Sequence, residues 1–185
     1  MDELLQFGEW EYNFYLGILL FARAMDILST WIATPNLLLE ANPLARMLRW
    51  KFGIPINVAL CFSFAFLPLT AIIISTTSVL VAARNFQHAW LIRSYGEENY
   101  RDWFLERLEE TRPELFLFCL LAQTSLTAGV GALLLFFSRW QEVVPLGIGL
   151  GIIGYAAAVM IFTLLALWRN RQRTKENGAR AMTYK

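Results

Sequence analysis

Residues 22–44 read ARAMDILSTWIATPNLLLEANPL, and the fold turns on how that stretch is read. It opens inside an apolar run and carries Arg23 and Asp26 near the middle of that run. On a helix, Arg23, Asp26 and Thr30 share one face at offsets of three and four. A single arginine or aspartate at the centre of a membrane span costs about 2.5–3.5 kcal/mol on insertion scales. The stripe must therefore face protein or water, and the neighbouring helices must cover it. Pro35 disfavours helix at Thr34, so the run ends there. Asn42 and Pro43 then make a good helix start, the amide as cap and the proline in the first turn. Glu40 lies just ahead of that positive helix end. The segment PLARMLRWKFG (43–53) is expected to form a short interfacial helix with Trp50 as its anchor, stopped by Gly53 and Pro55.

Working outward, the 185-residue chain is 57% hydrophobic and only 17% charged. Soluble domains run at about 45–50% apolar with about a quarter charged. The excess is gathered in runs near 14–34, 56–82, 115–138 and 146–168, each long enough for a helix to cross about 30 Å of hydrocarbon. The reading is one all-α domain, a polytopic four-helix transmembrane bundle. A short interfacial helix follows span 1, a cytoplasmic helical hairpin (84–113) joins spans 2 and 3, and a basic tail covers 169–185. Outside the spans, eleven Lys and Arg fall in 84–113 and the tail, against four in the other two loops, which predicts both termini in the cytoplasm. The acidic start MDELLQFGEWEYN has no basic segment of the kind that opens a cleavable signal peptide.

The hairpin is expected to turn at Gly96, with extensions of spans 2 and 3 as its arms and Glu97 paired to Arg101 at i,i+4. Phe104, Leu105 and Leu108 give its second arm an apolar side. Its many acidic residues argue against anionic lipid and for docking of a protein partner or self-packing. In the last span Gly147 and Gly151 have the small-xxx-small spacing that lets helices approach closely. Gly129 gives the third span a similar face, so spans 3 and 4 are expected to pack together. Cys61 and Cys119 lie in apolar runs and read as small buried side chains. With one histidine, His88, and no Cys-x-x-Cys, no metal or cofactor is expected. A net charge of +1 gives no footing for nucleic acid.

Asp26, Thr30, Glu40, Asn42 and Pro43, as D-x3-T followed by E-x-N-P, resemble the signature of a family of small uncharacterised prokaryotic integral membrane proteins. The resemblance covers Arg23 to Leu60. It implies a multi-pass protein of a prokaryotic inner membrane whose five polar residues act as one unit, and it brings no activity with it. No G-x-S-x-G, H-E-x-x-H or phosphate-binding glycine loop is present, and no catalytic residue is assigned. The expected function is non-catalytic. Arg23, Asp26, Thr30, Glu40 and Asn42 form a polar cluster that binds an ion or small ligand or orders the bundle, and the hairpin docks a partner. That describes an accessory subunit or a small transport component, the latter acting as a homo-oligomer. The alternative is a membrane-embedded enzyme acting on a lipid or peptide through Asp26 and Glu40, which requires the two carboxylates to converge.

Overall fold

A computed structural model describes residues 4–40, 42–138, 140 and 142–183, without the side chains of 44 and 169–183. The described residues form six helices and no strand: α1 (Trp10–Ala33), α2 (Pro43–Phe64), α3 (Pro68–Tyr95), α4 (Glu97–Glu110), α5 (Pro113–Phe137) and α6 (Val143–Thr183). Four are long and apolar enough to cross a membrane: α1, α3, α5 and Val143–Trp168 of α6. Large side chains such as Leu126, Leu133, Phe136, Phe137 and Trp168 point outward from them, as lipid-facing residues must. The basic side chains of the tail, and Arg139, lie outside the described residues.

The second span differs from the expected 56–82. Leu67 takes an extended conformation (φ −119°, ψ 94°) ahead of Pro68, so α2 ends at Phe64 and a new helix starts at Pro68. The cause is local: proline excludes helical geometry from the residue before it and suits a first turn. Hydropathy runs straight across this break and conceals it. The short helix does not stop at Gly53 and Pro55 either. Arg49 bends α2 with a positive φ of 51°, and helix resumes beyond it. Pro55 then falls near the start of the second segment, where its missing N–H costs little. At the other end of α3, Gly96 (φ 81°) turns the chain into α4. Thr111 and Arg112 are extended, so α4 is a separate helix and not an extension of α5.

The helix directions follow from pairs of touching residues. Leu19 packs with Ala71, Arg23 bonds Ser78, Asn85 bonds Thr30, and Ala33 packs with Ala89 and Ile92. Both series of numbers ascend, so α1 and α3 are parallel. Against α1, α2 descends: Trp50 bonds Pro35, Asn57 bonds Arg23, and Tyr12 bonds the Phe62 carbonyl. Beyond its end, the Leu5 N–H bonds the Phe66 carbonyl. Two parallel helices of 24 and 28 residues leave the intervening chain to travel back along their length, and α2 makes that journey. The loops following α1 and α3 therefore lie at the same end of the bundle. This overturns the expectation that 35–55 and 84–113 occupy opposite ends.

The small residues divide differently from the expected face. A Cβ on Gly147 would stand 2.7 Å from Ile72, and one on Gly151 would stand 2.7 Å from Thr76, so both glycines pack on α3 and not on α5. The approach of α5 to α6 is made by Gly131 and Gly149, where a Cβ on Gly131 would stand 2.6 Å from the Gly149 carbonyl. Gly129 faces open space. Gly131 meets Ile152 and Ile153 whereas Leu135 meets Gly149, so α5 runs antiparallel to α6, while Gly147, Gly151 and Gly154 follow α3 upward, making α6 parallel to it. The helices thus stand in the order α2, α1, α3, α6, α5, with α3 at the centre. Of the two cysteines Cys61 is buried, whereas Cys119 is exposed.

Candidate functional site

Arg23 sits past the middle of α1 and spends its guanidinium on three helices. Nε donates to Asn57 Oδ1 of α2 at 2.9 Å, and a second nitrogen reaches the same oxygen. The third nitrogen donates to Asp26 Oδ2 at 2.7 Å and to Ser78 Oγ of α3 at 3.0 Å. Asn57 is held in turn by its amide, which donates to the Gly53 carbonyl at 2.7 Å. The Arg23–Asp26 pair at i,i+3 is the order less favoured on an isolated helix. Here the two added partners fix the arginine. Charge-assisted bonds of this kind are about twice as strong as neutral ones, and the low dielectric around them strengthens them further.

One turn on, Asn85 of α3 donates to Thr30 Oγ1 at 3.0 Å and to Ser29 Oγ at 3.3 Å, and Ser29 itself donates to the Asp26 carbonyl. A polar seam therefore runs along the α1–α3 contact from Arg23 to Thr30. Sequence periodicity placed the α1 half of it. Asn57, Ser78 and Asn85 were missed: Asn57 is a lone polar residue in an apolar run, Ser78 closes the run STTS, whose hydroxyls can bond their own helix, and Asn85 stands in the polar stretch RNFQH. The available signal was Asn57, a polar side chain in an apolar run where it needs a partner.

The seam ends on Glu97, the first residue of α4, which is 9% exposed. Its carboxylate accepts from Thr34 Oγ1 at 2.5 Å, from the backbone N–H and side-chain amide of Asn36 at 3.0 Å each, and from the Leu38 N–H at 3.2 Å. Burial pushes this carboxyl up, but the hydrogen bonds from Thr34, Asn36 and Leu38 outweigh it and hold Glu97 below its ordinary value. The expected pairing of Glu97 with Arg101 does not form; Arg101 lies 3.0 Å from Asp102.

Glu40 and Asn42 belong to the loop after α1. Glu40 Oε1 accepts from the Asn42 N–H at 2.8 Å, and the Asn42 carbonyl accepts from Arg46 N. The carboxylate thus helps start α2, as its place ahead of a helix suggested. Asp26 lies seven residues before the end of α1, about 10 Å of helix rise away from this loop. The five signature residues form two groups, one along the seam and one in the loop.

One cleft borders the seam and another lies apart from it. The first, of about 500 Å³, opens between α1 and α2. Leu20, Ile27, Leu28, Trp31, Ile54 and Val58 wall it, with Arg23 and Asn57 contributing the polar part. The other, of about 470 Å³, lies among α3, α5 and α6, and Arg84, Gln87, His88, Gln123 and Tyr155 line it with Leu80 and Ala83. No family model, curated protein or solved structure matches this chain.

Proposed function

We propose a non-catalytic, five-crossing membrane protein that serves as a docking subunit, with its N-terminus outside and its C-terminus in the cytoplasm. The parallel course of α1 and α3 makes α2 the short fifth crossing, its apolar half lying beside α1. In this arrangement the segment 34–52 contributes three basic residues to one face, 85–113 contributes four, and the tail six. Thirteen of the sixteen Lys and Arg then share one side, Arg139 is alone on the other, and Arg23 and Arg84 lie within the membrane. The positive-inside rule makes the thirteen-residue side cytoplasmic. It also gives the acidic, lysine- and arginine-free N-terminal segment a place outside.

The observation that carries the docking role is Glu97. Four hydrogen bonds tie α4 to the loop between α1 and α2, which makes a rigid cytoplasmic platform from two segments distant in sequence. One face of α4 exposes Asp102, Glu106 and Glu109, at offsets of four and three. A row of acidic residues suits a partner with a basic segment. The Arg23 cluster supports a structural part for the membrane region, since the guanidinium is engaged by α1, α2 and α3 and ties the short crossing to the bundle. Site-directed labelling of single cysteines in the N-terminal segment and after Trp168, in right-side-out vesicles, tests the topology; labelling of both from the same side refutes it. Charge reversal at Glu106 and Glu109, read by native mass spectrometry of the assembly, tests docking. Retention of the companion chain by the reversed variant rejects the α4 surface.

A second reading rests on the cleft between α1 and α2. Apolar walls with a few convergent polar groups are the usual make-up of a small-ligand site, and Arg23 and Asn57 supply those groups. A Leu28→Trp substitution that fills the cleft would abolish ligand binding and leave docking intact.

A further inference from the structure

The structure assigns a binding site for an anionic, phosphate-bearing group to the cleft among α3, α5 and α6. The site is separate from the Arg23 seam and from the α4 surface, and it uses the orientation proposed above only to name the cytoplasmic leaflet. Arg84, Gln87, His88, Gln123 and Tyr155 converge on the cleft, and its lining contains no carboxylate. Arg23, Arg101 and Arg107 each hold a carboxylate at 3.0 Å or less. Arg84 does not, and among the described residues its guanidinium has neither an ion-pair nor a hydrogen-bond partner. The side chains of Gln87, Gln123 and Tyr155 likewise have no hydrogen-bond partner among the described residues. His88 turns Nδ1 to the Arg84 carbonyl at 2.9 Å and leaves Nε2 over.

Depth makes this arrangement informative. Arg84 is beside Asn85, which is bonded to Thr30 of α1, so it lies within the stacked helices and short of their cytoplasmic ends. Gln123 is ten residues into α5 and Tyr155 twelve into α6, both inside candidate spans. A helical side chain leans toward its own N-terminus, so Arg84 leans away from the cytoplasm toward Gln123 and Tyr155. An unpaired guanidinium at this level carries a desolvation cost that no acid of the cleft offsets. A phosphate offers what is missing: negative charge, and several acceptor oxygens for the fork of an arginine, two amides and a phenol. The cleft opens beside lipid, so the phosphate can belong to an inner-leaflet phospholipid or to a free anion.

The full-length protein would be purified from vesicles of phosphatidylcholine alone or mixed with phosphatidylglycerol, washed with detergent, and its retained lipid read by native mass spectrometry. Retention of phosphatidylglycerol over phosphatidylcholine by wild type, weakened roughly tenfold or more by Arg84→Gln, is the expected result, since a charge-assisted bond contributes about 1.5–3 kcal/mol. Arg93→Gln, on the same helix and outside the cleft, should retain lipid like wild type. Gln123→Leu and Tyr155→Phe keep the charge and should weaken retention severalfold, so the test stands even if Arg84→Gln fails to fold. Thermal stabilisation by inorganic phosphate that needs Arg84, without lipid retention, assigns the site to a free anion. Equal retention by wild type, Gln123→Leu and Tyr155→Phe, with no effect of inorganic phosphate, overturns the assignment. Retention of both lipids alike does the same.

Discussion

Replacing Glu97 tests the link between the α1–α2 loop and α4 most directly. Glu97→Ala removes one carboxylate and strands four donors: the Thr34 hydroxyl, the Asn36 N–H, the Asn36 amide and the Leu38 N–H. Thr34 is 5% exposed, so its hydroxyl proton loses its acceptor out of reach of water, a loss of about 1–3 kcal/mol, although the oxygen still accepts from the Leu39 N–H. Asn36 and Leu38 are exposed enough for water to replace part of what their N–H groups lose. A total of roughly 2–4 kcal/mol follows, a melting temperature lower by roughly 5–10 °C for a chain of this size. Glu97→Gln keeps one carbonyl acceptor and should lose about half as much.

The acid dependence adds an independent check. The folded carboxyl titrates below its ordinary value of 4.5. Its contribution is therefore complete above the unfolded value and disappears as the pH falls through the folded one. The gap in melting temperature between wild type and Glu97→Gln should be widest at neutral pH and close under acid. Thermal unfolding of the detergent-solubilised protein by tryptophan fluorescence measures the gap, and limited proteolysis within 34–40 reports the loop. If Glu97→Ala melts with wild type and its loop resists protease equally, the four bonds do not hold the platform and the reasoning fails.

Three further outcomes follow from the packing. Arg23→Leu strands Asp26 inside the bundle and should destabilise it by about 3–5 kcal/mol; the double variant with Asp26→Leu should recover part of that in chemical unfolding. If the double variant is as damaged as the single, the pair is not the main interaction of Arg23. Gly131→Ala drives a Cβ into the Gly149 carbonyl and should cost about 1–3 kcal/mol, whereas Gly129→Ala meets open space and should melt like wild type. Trp50→Phe loses the indole N–H bond to Pro35 and should cost about 1 kcal/mol, with earlier proteolysis near the Arg49 bend.

Much of the molecule was legible in the chain. Four helices could be placed because transfer of apolar surface into lipid is a local sum over about twenty residues. Arg23, Asp26 and Thr30 could be put on one face because helical periodicity is local too. The break at Pro68 was also legible, as proline marks it in any context, but continuous hydropathy masked it. The α5–α6 contact shows the limit of spacing rules. Gly129 and Gly131 are equally small, and only the rotation of α5 against α6 chose Gly131 for the contact.

What the sequence by itself determined is therefore the set of helices, their lipid-facing character and the one charged stripe that had to be covered. The tertiary structure alone decided that α1 and α3 run parallel, that α2 returns alongside α1, and that Glu97 reaches back to Thr34, Asn36 and Leu38. Each of these is a pairing across tens of residues. Hydropathy and periodicity describe how a segment meets its solvent. They are silent on which of several equally apolar neighbours it meets, and that choice falls to the few polar side chains that must find one another inside the membrane.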